Sequence, residues 1–447
     1  MAKKTYIKPL LARHQAGVAN KFATASAARF RDSIDGVDVG ELVRKFGSPV
    51  FVYSHRGLKE KYHSAQRAFS TRYPKVQFAW SYKTNYLAAV CRAFHRLGSW
   101  AEVVSGFEYD LARSYGVPGD RIIYNGPYKS PESLRRAVAE GALVNIDGYD
   151  EIPELEAIAS EIGRPIPFGA RVNMSITGFA AWDRFGLNID SGEAYHTLKR
   201  ALRSGKLELA GLHTHIGTFV LEPRFYGEAA RKMIDLAHLL RRDLNVRLKY
   251  IDMGGGFASR SRLKGSYVPT DQAVPEVEGY AEAICSPLLA AFPPDELPLL
   301  FLETGRALVD EAGSLVATVV ATKRLPSGTR SLVLDAGVNL LFTAFWYDLD
   351  ILPAADKGPH SELHSVYGPL CMQIDVVGES LRMPYLEKGD RVVVRPIGAY
   401  NTTQWMQFIQ LRPAVVMISE TGDAEVIRAP ETLDHVAKLD IVPSWLK

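Results

Sequence analysis

Eight short apolar runs, ending near Trp80, Val104, Tyr124, Ile146, Val172, His213, Met253 and Leu302, most narrow what this chain can become. Most are separated by segments of helical periodicity, among them 87–97, 131–140, 151–162, 192–203 and 225–240. Strand and helix in alternation predict an α/β fold with a parallel sheet. Eight repeats predict closure into a (β/α)8 barrel of the TIM type, with an open doubly wound sheet as the competing arrangement. After about Arg306 the pattern changes. Residues 315–322, 331–334, 366–377 and 391–396 are β-rich, broken by turns and poor in helix, which predicts a second, all-β domain. A chain of 447 residues is also too long for one ordinary core. The expected division is 1–46, an N-terminal arm and strands joining the β domain; 47–305, the barrel; and 306–447, the C-terminal β domain. Residues 47–53 are themselves strand-like and are expected to pair with that β domain, which would make it discontinuous.

Composition excludes more than it proposes. A net charge of +3 gives no reason to expect nucleic acid or an acidic membrane surface as partner. No apolar run approaches the ~18 residues of a membrane span. The three cysteines, Cys91, Cys285 and Cys371, are far apart and form no paired motif, which fits a reducing, cytoplasmic setting. Lys3, Lys4, Lys8, Arg13, Lys21, Arg29 and Arg31 precede the first acidic residue, Asp32, and read as a basic arm.

The chemistry-bearing residues fall at the C-terminal ends of the expected strands, where barrel loops converge on one mouth. Lys83 follows strand one, Ser105 and Glu108 strand two, and Asn125 strand three. Arg171 and Asn173 end strand five, His213 and His215 end strand six, Asp252 and Gly254-Gly255-Gly256 end strand seven, and Glu303-Thr304-Gly305-Arg306 follows strand eight. A lysine at a strand end is either a solvated loop residue or the Schiff-base lysine of a carbonyl cofactor. Three consecutive glycines after strand seven, with Arg306 after strand eight, suit a phosphate cradled by backbone N–H groups. Glu303 suits an arginine partner or a protonated heterocyclic nitrogen. His213 and His215 share one strand face, the spacing of a metal pair as well as of ring-stacking or core histidines. Lys83 stands where metal-dependent barrel hydrolases place their paired histidines, so no metal is expected.

Taken together, these motifs resemble the fold-type III pyridoxal-phosphate decarboxylases, relatives of diaminopimelate and ornithine decarboxylases. The resemblance spans about 38–413 and rests on Ser81-Tyr82-Lys83-Thr84-Asn85, Val103-Val104-Ser105-Gly106-Phe107-Glu108, His213-Thr214-His215-Ile216-Gly217-Thr218 and Asp252-Met253-Gly254-Gly255-Gly256-Phe257. It continues through Glu303-Thr304-Gly305-Arg306, Asp335-Ala336-Gly337, Gly368-Pro369-Leu370-Cys371 and Gly398-Ala399-Tyr400. It implies an alanine-racemase-like barrel plus β domain, pyridoxal 5'-phosphate as cofactor, an amino-acid substrate, and a head-to-tail homodimer with shared active sites. It further implies that Lys83 holds the cofactor, that His215 stacks on its ring and that Glu303 pairs with its nitrogen. Thr218, Gly254, Gly255, Gly256, Arg306 and Tyr400 would take its phosphate. Cys371 would cross the dimer interface as proton donor, and Asp335, Asp375 and Arg171 would face the substrate.

Two positions depart from the diaminopimelate pattern. Thr343 stands where an arginine is expected to hold the distal carboxylate, and Met372 replaces a glutamate after the cysteine. Glu102, in place of an aspartate, is a milder change. Loss of a bidentate clamp, together with the aromatic stretches 345–347 and 398–408, leads to the expectation of a substituted or citrate-conjugated diamino acid from a siderophore pathway. The alternatives are diaminopimelate decarboxylase, an amino-acid racemase, and a non-catalytic homologue.

Overall fold

The computed structural model describes residues 29–447 apart from 267 and 269, so Lys3, Lys4, Lys8, Arg13 and Lys21 of the expected arm lie outside the described residues. Eight parallel strands form a closed ring: Val76–Ser81, Trp100–Val103, Ile122–Tyr124, Leu143–Ile146, Ile166–Asn173, Leu207–His213, Tyr250–Asp252 and Leu299–Leu302. The eighth pairs with the first through Leu300 and Val76, which excludes the open sheet. Being covered on both faces, these strands are almost continuously buried, as parallel strands are. Local chemistry fixes where the intervening helices start and stop. Ser105 caps Gly106–Ser114 by accepting from the Glu108 N–H (3.2 Å), and Ser130 with Pro131 opens Pro131–Ala139.

The second sheet is built around Gly313–Arg324, which pairs antiparallel with Arg330–Leu334, Arg391–Arg395 and Val50–Ser54. Val50–Ser54 also pairs, in parallel, with Val415–Ile418. The strand at 50–54 therefore sits in the second sheet rather than in the barrel, and the boundary at residue 47 does not coincide with a change of sheet. The apolar run 366–377 is not one strand. Ser361–Tyr367 and Val376–Pro384 are separated by a loop carrying Gly368-Pro369-Leu370-Cys371. Asp375 ties that loop down by accepting from the N–H groups of Leu370 and Val338 (both 2.8 Å).

The loop at 398–403 joins the two sheets at the turn carrying Lys83. Tyr400 N–H donates to Thr84 O (2.8 Å), Thr403 Oγ1 to Lys83 O (3.0 Å), and Asn85 Nδ2 to Gly398 O (3.0 Å). Tyr400 adopts φ +66°, a left-handed backbone seldom taken by a bulky residue, and these bonds hold it there.

Candidate active site

The barrel mouth encloses a cavity of about 230 Å³ lined by Lys83, Glu102, Val104, Asn125, Gly126, Pro127, Arg171, Trp182, Phe185, His213, His215 and Glu303. Six different strands or their loops supply this lining, which is why residues far apart in sequence meet there.

Lys83 lies on the Tyr82–Thr84 turn that ends the first strand, with its amine 2.8 and 3.0 Å from the two oxygens of fully buried Glu102. Burial alone would lower the pKa of this ammonium, but Glu102, then Glu303 and Tyr400, hold it above the ordinary lysine value. Glu102 also accepts from Ser81 Oγ (2.6 Å) and Asn125 Nδ2 (3.1 Å). The same Asn125 amide donates to Glu303 Oε1 (2.5 Å). Its orientation is set from inside the barrel: Tyr250 OH donates to Asn145 Oδ1 (2.7 Å), and Asn145 Nδ2 donates to Asn125 Oδ1 (2.8 Å). A polar column thus runs up the barrel axis and ends between the two carboxylates.

Glu303 is buried, and burial would raise its pKa. His213, whose Nε2 is 3.2 Å from Oε2, together with Lys83 and Asp252, more than offsets this and keeps the carboxyl below the usual range. Buried Asp252 behaves in the opposite way, pushed well above the usual carboxylate range first by burial and then by the Glu303 charge. His215 presents its ring to the cavity while Nδ1 accepts from the Gly255 N–H (3.2 Å), which leaves the proton on Nε2. Burial, then the charges of Lys83 and Arg171, push His215 well below the ordinary imidazole value, so the ring is neutral. The two histidines therefore serve different partners, His213 on Glu303 and His215 on the glycine loop, and do not converge as a metal pair.

Behind His215 lies the glycine loop. A Cβ on Gly255 would run into the Glu303 carbonyl, and one on Gly256 (φ +92°) into the Gly217 carbonyl, so only glycine lets the loops after strands six, seven and eight come together. Arg306 is buried beside them, its guanidinium 4.6 Å from the Tyr347 ring centroid and 5.0 Å from that of Tyr400. One Nη1 donates to Asp310 Oδ2 (3.1 Å), and Nε has no partner. Thr218 is exposed on the neighbouring loop. An amine in a cavity beside a neutral imidazole and an ionised carboxylate, next to a close-packed glycine loop with a spare guanidinium donor, fits the donor set that a phosphorylated pyridine aldehyde requires.

Other expected residues lie outside this cavity. Thr343 is buried, with its N–H and Oγ1 both donating to Asn401 Oδ1 (3.0 Å each). Asp335 accepts from Thr318 N–H (2.8 Å) and Ser48 Oγ (2.6 Å), and Asp375 is spent on the loop bonds given above. Cys371 and Met372 lie on that same loop, Cys371 exposed. Trp405 packs edge-on to Phe51 between Arg412 and Arg428, as part of the second sheet's own packing. Sequence reasoning placed Glu102 only as a departure from a pattern and missed its hold on Lys83. It also missed Trp182 and Phe185, which sit on an aperiodic loop; the nearby Arg171, stacked 4.7 Å over Phe185, was the available signal.

Residues 57–310 match the family model of the pyridoxal-dependent decarboxylases, pyridoxal binding domain. The diaminopimelate decarboxylase of Methanocaldococcus jannaschii is 30% identical over 430 residues, 92% of this chain and 95% of that one. The Archaeoglobus fulgidus diaminopimelate decarboxylase is 30% identical over 93% and 98% of the two chains. The crystal structure of the M. jannaschii enzyme in complex with L-lysine superposes with a TM-score of 0.85 at 29% identity, covering 95% of this chain and 99% of that one. These relatives overturn the expectation of a citrate-conjugated substrate from a siderophore pathway. The physical reason is that Thr343 is bonded to Asn401 and does not line the cavity, so a missing arginine at this position is no ground for a conjugated substrate. With its lysine cavity, glycine loop and matching model, the chain belongs to the pyridoxal-dependent decarboxylases, carboxy-lyases that work through pyridoxal phosphate.

Proposed function

We propose that this protein is a diaminopimelate decarboxylase, releasing CO₂ from one end of meso-diaminopimelate and leaving lysine. The observation that carries this reading is end-to-end similarity to diaminopimelate decarboxylases at 30% identity, with an amine, two carboxylates and one guanidinium around a single cavity.

Bound pyridoxal phosphate supplies a protonated ring that accepts the electrons of the breaking bond between Cα and the carboxylate. The chain's own residues do the rest. Lys83 would hold the cofactor through its amine, and Glu102, 2.8 and 3.0 Å from that amine, would hold the amine's proton. Glu303, ionised and lining the cavity, would keep the ring nitrogen protonated by opposite charge. Neutral His215, lining the same cavity, would face the ring without adding charge. Arg306, with its unpartnered Nε, and the glycine loop would hold the phosphate. Arg171, lining the cavity, takes a substrate carboxylate, and Trp182 and Phe185 wall off water.

The reading includes a cytoplasmic homodimer; no helix among the described residues is long and apolar enough to cross a membrane. In such a dimer, exposed Cys371 would reach the Lys83 cavity of the other copy as proton donor.

The test is CO₂ release by the cofactor-loaded protein from meso-diaminopimelate, lysine and ornithine. The expected result is stoichiometric CO₂ and lysine from diaminopimelate alone, abolished in Lys83→Ala. Turnover of another amino acid with diaminopimelate inert would overturn the assignment.

A further inference from the structure

The floor of the cavity holds three titratable side chains packed against one another: His213, Asp252 and Glu303, all buried, offer nitrogen and oxygen atoms within 4.8 Å of one another. Only Glu303 has a role in the function proposed above. The other two have a geometry that demands an explanation. Asp252 Oδ1 accepts from the Gly254 N–H (2.8 Å), while Oδ2 is buried with no donor within reach. A buried carboxylate oxygen with no donor, on a side chain whose carboxylate lies within 4.8 Å of a second one, is costly if both groups are ionised. It is accounted for if that oxygen carries a proton and gives it to Glu303. On the opposite side His213 Nε2 meets Glu303 Oε2 (3.2 Å), and Asn125 donates to Oε1 (2.5 Å). Glu303 then has a donor on three sides and one direction left, toward the cavity.

We propose that Asp252 and His213 are positioning residues: Asp252 donates its proton to Glu303 through Oδ2 while Oδ1 anchors the glycine loop, and His213 braces the same carboxylate from the other side. Glu303 is thereby fixed as an anion in one orientation, and the nitrogen-pairing and phosphate-cradling ends of the cofactor site are tied together through one side chain. The upward displacement of Asp252 and the downward displacement of Glu303 agree with this distribution of protons. The proposal rests on Glu303 facing the ring nitrogen, as the functional reading has it.

The decisive comparison is Asp252→Asn against Asp252→Ala. Asparagine can donate from its amide in place of the acid and still accept from Gly254; alanine can do neither. The affinity for pyridoxal phosphate, followed by quenching of protein fluorescence, and the position of the bound cofactor's visible absorbance band are both read. Asp252→Asn is expected to match wild type in both. Asp252→Ala is expected to bind about 10- to 100-fold more weakly, the scale for removing a hydrogen bond to a charged group, with a displaced band. His213→Gln is expected to behave as wild type and His213→Leu as the alanine variant. If Asp252→Asn is as damaged as a loss-of-donor variant, Asp252 acts as an anion and the proposal fails. If Asp252→Ala or His213→Leu is indistinguishable from wild type, the positioning role fails. Where Asp252→Ala does not fold, the asparagine and His213 variants still decide. Wild-type protein that binds no pyridoxal phosphate would instead defeat the cofactor reading itself.

Discussion

Glu108→Gln should make the protein more stable at alkaline pH and leave it nearly unchanged in acid. Glu108 is only 6% exposed, on the first turn of the helix after the second barrel strand, where its Oε2 accepts from the Val104 N–H (2.8 Å). Burial is the main cause that lifts its carboxyl from the ordinary 4.5 to about 7; the Glu102 charge adds to this, while the Val104 bond and Lys83 oppose it. The sign follows from linkage. A raised folded-state value means the native protein binds the proton more tightly than the unfolded chain, so stability falls as pH rises from 4.5 toward 7 and then levels off. At about 1.4 kcal/mol per pH unit the full penalty is about 3 kcal/mol, undiscounted because the group is shielded from solvent. Glutamine retains an acceptor for Val104 and cannot ionise, so the substitution isolates this penalty. The assay is urea denaturation of cofactor-free wild type and variant at pH 5 and pH 8. The variant should gain about 2 to 3 kcal/mol on wild type between the two pH values. Parallel pH profiles would refute the reasoning, because every other titrating group is common to both proteins.

Glu102→Gln removes the charge that most strongly holds Lys83 protonated, so the pH midpoint for cofactor attachment, followed by growth of its visible band, should move down; an unmoved midpoint would mean Glu102 does not control the amine. Arg306→Gln should weaken pyridoxal phosphate by about 10- to 100-fold while leaving unphosphorylated pyridoxal unaffected, and equal losses for both would count against a phosphate contact. Thr343→Val should cost about 1 kcal/mol of stability through its lost bond to Asn401, with KM for diaminopimelate unchanged. A raised KM would return Thr343 to the substrate's side.

The barrel was legible because its signal is periodic: expected strand ends such as Tyr124, Ile146, His213 and Leu302 coincide with observed ones. The position of Lys83, His215 and Glu303 at the mouth was legible for the same reason, since each follows a barrel strand at its C-terminal end. Thr343 misled because a side chain's direction inside a loop has no period to reveal it, and a position in a motif says nothing about a bond to Asn401. Run 366–377 misled because composition marks apolar stretches but not the turn that Gly368 and Pro369 impose within one. Asn145, Gly169 and Gly211 were unreadable singly. A side chain on either glycine would collide with Asn145 or Tyr250, so their purpose appears only once the polar column is assembled.

The placement of Val50–Ser54 between Gly313–Arg324 and Val415–Ile418 sets an order on how the protein comes into being. A ribosome adding ~5–20 residues per second completes this strand long before either neighbour, and residue 415 follows it by about 20 to 70 s. The barrel strands, all complete by residue 302, can pair and close through Leu300 and Val76 in that interval. Val50–Ser54, buried at all five positions once folded, has both edges open until Gly313–Arg324 is made and one edge open after that. The pairing of Val415–Ile418 with its second edge is what ends that exposure.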